Sequence, residues 1–144
     1  MTDFIWTGGQ PDEEQISKLQ EQGVTTIVNI APYDERYSIE DEPGLVKSLG
    51  MNYHHHPVDF SRPTLNDYAV VKNIVKQYPD ERIFIHCAAN YRVSVFLANF
   101  AVDELGWTVK RRDDFIGGVW DLNGFFVWSS FHNELARSIE RDIS

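Results

Sequence analysis

The chain has 144 residues, of which 22 are acidic and 13 basic, for a formal net charge of −9. That balance argues against nucleic acid or an anionic membrane as a partner, since both select a basic surface. One cysteine cannot close an internal disulfide, and no run approaches the ~18–20 apolar residues of a membrane span, so a cytoplasmic globular protein is expected.

The opening Met1-Thr-Asp-Phe-Ile-Trp-Thr7 lacks both a basic segment leading into an apolar one and a glycine at position 2. Neither a secretory leader nor myristoylation is therefore expected. The length is most simply that of a single domain over residues 1–144.

Gln10 to Gly23 reads as a helix: Pro11 opens it, acids fill its first turn and Gly23 lies past its end. Ile16 and Leu19 form its buried stripe. Thr25 to Ile30 is β-branched and apolar, as a strand covered on both faces is. Residues 31–43 carry Pro32, Asp34, Glu35, Glu40, Asp41 and Glu42 and read as a long exposed loop, followed by a short helix over residues 44–49. Met51 to Val58 reads as a second strand.

Thr64, with Asp67 three residues on, is a capping box for a helix whose Leu65, Tyr68, Val71, Val75 and Tyr78 share one face until Pro79 ends it. Arg82 to His86 reads as the third strand. Arg92 to Leu105 is apolar on nearly every side, as a buried helix is, and Gly106 terminates it. Trp128, Phe131, Leu135 and Ile139 recur at helical spacing and read as core. The alternation of helices and strands predicts an α/β fold of three layers, with a mainly parallel central sheet of about four to five strands and helices on both faces.

In such a sheet ligands bind beyond the carboxyl ends of the strands, which is where Cys87 stands. A strand turning sharply into a helix aims loop N–H groups and the positive end of the helix dipole at one place, favouring an oxyanion and a thiolate. The alternative for Cys87 is a small buried hydrophobe. Arg92 falls in the first turn of an apolar helix, a poor place for a guanidinium unless it turns back over the loop to an anion. Its alternative is a salt bridge to Asp59 or Asp103. Ser94 either caps the helix or donates to the thiolate.

His86-Cys87 followed by Arg92 at a strand-loop-helix junction resembles the phosphate-binding loop of the cysteine-dependent protein tyrosine and dual-specificity phosphatase superfamily. More narrowly it resembles the small bacterial phosphatase-like branch with a shortened loop, in which an opening like Thr7-Gly-Gly-Gln-Pro11 precedes the first helix. The main superfamily places five residues between cysteine and arginine, whereas here there are four, Ala88, Ala89, Asn90 and Tyr91. Rhodanese-type sulfurtransferases share the shorter spacing. The family's loop glycine is replaced by Asn90, which tolerates the left-handed conformation better than most residues.

The resemblance implies a two-step hydrolysis through a phosphocysteine on Cys87, with Arg92 and the amides of Ala88 to Arg92 holding the phosphate oxygens. It implies an acid on a neighbouring loop, a role Asp59 matches, and a supporting His86 that orders the loop. Asp34, Glu35 and Asp67 are weaker candidates for that acid. No metal or other cofactor is implied. His54 and His56 share a strand face, but two imidazoles do not make a metal site. The implied partner is a phosphorylated small molecule or phosphoprotein, phosphotyrosine included, with Tyr33, Tyr37, Phe60 and Tyr91 as candidate pocket aromatics. The competing readings are a sulfurtransferase carrying a persulfide on Cys87 and a non-catalytic module that binds phosphate.

Overall fold

The computed structural model describes residues 1–143. Four strands, β1 (Ile5–Gly8), β2 (Val24–Asn29), β3 (Asn52–His55) and β4 (Arg82–His86), form one wholly parallel sheet in the order β1-β4-β2-β3. Gly8, His86, Asn29 and His55 are register partners across it, so the carboxyl ends of all four strands lie in one row. The segments leaving that row open on Gly9, Ile30, His56 and Cys87. Chemistry-bearing residues far apart in sequence therefore meet along one edge.

Strand alternation sorts the side chains into two cores. Ile83 and Ile85 of β4 and Val28 of β2 face a large cluster, whereas Phe84 and Ile27 face a smaller one. The smaller cluster is covered by α1 (Glu13–Glu21) and α2 (Glu42–Ser48), which bury Ile16 and Val46 completely. The larger is covered by α3 (Leu65–Lys76), α4 (Tyr91–Glu104), α5 (Val109–Gly117) and α6 (Phe126–Ile143). α4 is the central helix of that layer, with every residue from Val93 to Ala101 buried. Fully buried side chains such as Phe96, Leu97 and Trp128 each contribute about 1.5–3 kcal/mol relative to exposure.

The three layers, the parallel sheet and the helix at Trp128 agree with the sequence reading, and Trp128, Phe131, Leu135 and Ile139 are all buried. The differences are local. β1 was not expected; it is an edge strand of four residues held by pairing to β4. β3 covers only Asn52–His55, because His56 N and Val58 N donate instead to Asn29 O and Ile30 O as the chain leaves the sheet. Leu65 stays 37% exposed, while Tyr68, Val71 and Val75 of the same helix are buried. α5 was also unexpected: its apolar content is low, and it docks through Ile116 and the buried Arg112. No helix among the described residues is long and apolar enough to cross a membrane.

Candidate active site

The residues from Cys87 to Asn90 link the buried end of β4 to the first turn of α4. Asn90 is the N-cap of α4 and adopts the left-handed conformation at φ 67°, as expected of the residue standing in for a loop glycine. Cys87 is fully buried and its N–H points to Gly8 O at 3.4 Å.

Two carbonyls of the loop are turned outward. Cys87 O lies 3.1 Å from Nδ1 of His86, and Ala88 O accepts from Gln10 N at 2.9 Å. In a trans peptide the N–H opposes the C=O, so the amides of Ala88 and Ala89 point away from these partners. Among the described residues, none of the N–H groups of Ala88, Ala89, Tyr91, Arg92 and Val93 donates to a protein acceptor. Unsatisfied amides at a turn and at a helix N-terminus form an anion-binding concavity.

The Gly8-Gly9 pair has a steric reason. A Cβ on Gly9 would lie 2.7 Å from Ala88 O, so only glycine lets that carbonyl reach Gln10. A Cβ on Gly8 would lie 3.1 Å from the Phe84 ring.

Arg92 forms a salt bridge to neither Asp59 nor Asp103. Asp103 is taken by Lys72 at 2.7 Å and by the Tyr68 hydroxyl at 2.8 Å. The Arg92 guanidinium carbon instead sits 5.1 Å from the centre of the Phe60 ring, and its Nε is buried with no partner. Phe60 belongs to an aromatic wall beside the loop. Tyr91 stacks on Trp120 with centroids 4.5 Å apart, Phe125 packs against both, and Trp128 Nε1 donates to Phe60 O at 2.7 Å. Of the four aromatics expected near the site, Phe60 and Tyr91 are part of this wall. Tyr33 and Tyr37 lie on the loop before α2, where the Tyr37 hydroxyl donates to Pro32 O.

Ser94 is fully buried; its hydroxyl donates to Tyr91 O at 2.7 Å and accepts from Trp120 Nε1 at 3.0 Å. Its one hydrogen is thus used on the helix, and in this arrangement none is left for Cys87. Ser94 fixes the Tyr91–Trp120 stack instead.

Asp59 is exposed and closes a turn in which Ser61 N and Ser61 Oγ donate to its Oδ1 at 2.9 and 2.8 Å. Those bonds, helped by the charges of Arg62 and Arg92, hold its carboxyl below the usual range. Phe60, the next residue, lies against the Arg92 guanidinium, so the Asp59 turn stands beside the loop. The other acids lie elsewhere: Asp34 is bound to Arg36, and Asp67 caps α3 and bonds His56. His54, on β3, bonds the Tyr78 hydroxyl at 2.6 Å, so it and His56, just past the strand, have separate partners.

His86 is fully buried, with Nε2 2.6 Å from Glu42 Oε2. Gln10 donates to the other Glu42 oxygen at 2.7 Å. Burial alone would push the Glu42 carboxyl up, but the bond and charge of His86, with Gln10 and Tyr53, outweigh it and hold the group below its usual range. Sequence reading missed Glu42, which it placed in an exposed loop. The one available signal was an acid at the start of a short helix, and such acids are usually solvated.

No protein-family model matches the chain, and no curated protein matches its sequence. Solved structures do. A candidate phosphatase (DUF442) from Shewanella putrefaciens CN-32 is 25% identical, with a TM-score of 0.88 over 96% of this chain and 87% of that one. The fold is that of the cysteine-dependent phosphatases. TpbA from P. aeruginosa is 17% identical, at a TM-score of 0.74 over 97% of this chain and 88% of its own. Tk-PTP is 13% identical, at 0.76 over 94% and 93%. Within this phosphatase fold the shortened loop keeps its outward carbonyls and left-handed turn, with Arg92 brought to the aromatic wall.

Proposed function

We propose that this protein is a cysteine-dependent phosphatase that hydrolyses a phosphomonoester. The observation that carries the reading is the run of unsatisfied amides from Ala88 to Val93, interrupted at Asn90, beside a buried Cys87 and an unpaired Arg92 Nε. An anion is the ligand that satisfies such a set.

In the first step Cys87 Sγ, as thiolate, attacks phosphorus; the P–S bond forms as the bond from phosphorus to the leaving oxygen breaks. The leaving oxygen takes a proton from Asp59. In the second step water attacks the phosphocysteine, loses a proton to Asp59 and releases phosphate with the thiolate restored. Arg92 and the loop amides hold the equatorial oxygens, where charge develops. Free Asp59 is held ionised, so its acid role requires the bound phosphate, whose negative charge opposes Arg92 and Arg62 and raises the carboxyl again. The wall of Phe60, Tyr91, Trp120 and Phe125 suits an aryl leaving group, phosphotyrosine among them.

The sulfurtransferase reading draws on the four-residue loop alone. Phosphate release from an aryl phosphate, measured beside thiocyanate formation from thiosulfate and cyanide, separates the two. Hydrolysis without thiocyanate formation supports the phosphatase, and the converse assigns a persulfide to Cys87.

A further inference from the structure

The buried pair Glu42–His86 lies behind the loop, and substrate does not reach it. Glu42 is 4% exposed and His86 is fully buried, and the pair joins the start of α2 to the end of β4 across 44 residues of sequence. Both ring nitrogens of His86 face acceptors. Nε2 meets the Glu42 carboxylate at 2.6 Å, and Nδ1 meets the carbonyl of Cys87 at 3.1 Å. A carboxylate and a carbonyl only accept, so the two hydrogen bonds are both made only when each nitrogen carries hydrogen. Such a ring is cationic, and its charge lies nearer Cys87 than does the compensating carboxylate.

We propose that Glu42 is a positioning residue for Cys87: by accepting from Nε2 it keeps His86 doubly hydrogenated, with Nδ1–H fixed on the Cys87 carbonyl and a positive charge beside the sulfur. Gln10, bonded to the other Glu42 oxygen, holds the carboxylate in register, and Tyr53, whose phenol burial and the Glu42 charge push up, keeps its hydrogen to offer to Glu42. The ionisable groups that line the cavity beside Glu42 are Tyr53 and His55 from β3, Tyr33 and Glu40 from the loop before α2, and Asp41 from its cap. Tyr53 lines the same cavity as Glu42 and accepts from Asn29 Nδ2, while His86 is the group in contact with both Glu42 and the Cys87 backbone. A neutral glutamine at position 42 donates an N–H to Nε2 as readily as it accepts from it. The ring then has no need of its second hydrogen, and the charge beside Cys87 is lost.

The proposal takes Cys87 as nucleophile from the phosphatase reading, but its test does not need turnover. Cys87 is the chain's one cysteine, so the ultraviolet absorbance of the thiolate, followed against pH as the difference from Cys87→Ser to remove the six tyrosines, reports on it. Glu42→Gln is expected to move the appearance of the thiolate upward by about one pH unit or more, a roughly tenfold change in ionisation. His86→Asn is expected to do the same, and the double variant to show no more than either single change. Ring-nitrogen NMR of the unaltered protein, which depends on no variant folding, is expected to show both nitrogens of His86 hydrogenated at neutral pH. Coincident thiolate curves for wild type and Glu42→Gln, or one bare nitrogen on His86, overturn the proposal. If the phosphatase reading alone is wrong, aryl phosphate goes unhydrolysed while the contrast between the curves persists.

Discussion

The guanidinium carbon of Arg92 lies 5.1 Å from the centre of the Phe60 ring, one residue beyond Asp59 in sequence. An arginine in the first turn of an apolar helix is thus held by an aromatic face, with no salt bridge to an acid, and its planar donors remain for a ligand. Lysine keeps the charge but loses both the stacking and the bidentate fork. Arg92→Lys is therefore expected to lower kcat/KM for an aryl phosphate by about 10²–10³, the cost of removing an oxyanion donor. Steady-state kinetics check this, and a fall of less than a few-fold would detach Arg92 from the site.

Asp59 is expected to matter in proportion to how badly the leaving group needs a proton. Asp59→Asn should slow an alkyl phosphate by about 10²–10⁴ while slowing an ester of an acidic phenol far less. Equal losses on the two substrates remove Asp59 from the acid role.

Asn90 sits at φ 67° with no side-chain capping bond, so its value to the loop is conformational. Asn90→Ala places an ordinary residue in the left-handed region and is expected to cost about 1 kcal/mol in denaturant unfolding, whereas Asn90→Gly should cost nothing or stabilise slightly. The pair of variants separates backbone strain from any loss of the amide group.

His132, mostly buried, accepts from Asn99 Nδ2 at 3.0 Å, and burial, followed by the Arg112 charge, lowers its pKa from 6.5 to about 4. The unfolded chain takes up this proton at higher pH than the folded one. The contribution is thus fully present above about 6.5 and is lost as pH falls from there towards 4. Thermal melts between those limits should show Tm falling with pH, and His132→Gln should flatten that slope whatever it does to Tm at neutral pH. The carboxylates held low, Glu42 and Glu104, are shifted in the same direction from a lower starting value of 4.5, so their contribution is lost further down, as pH falls through their folded values.

Features decided by neighbours in sequence were legible. Thr64 and Asp67 form the expected capping box, Asn90 takes the left-handed turn, and the apolar helix after Arg92 is the buried centre of its layer. The junction that carries Cys87 and Arg92 was legible because strand, turn and helix are contiguous. What escaped was decided across the sheet. β1 is four residues long and exists through its pairing with β4. Glu42 looks like one more acid in an acidic loop until β4 brings His86 to it. Trp120 looks like core but is joined to the loop through Ser94 and Tyr91. α5 escaped for a simpler reason: its sequence is rich in charge and buries little besides Ile116 and Arg112.

In the proposed reaction phosphate passes through a covalent bond to Cys87. Acid quenching during turnover of an aryl phosphate, followed by mass analysis of the peptide bearing Cys87, tests it directly. A phosphoryl adduct on Cys87 that disappears as substrate is exhausted is expected, with no turnover in Cys87→Ser. Hydrolysis continuing undiminished in Cys87→Ser would contradict it.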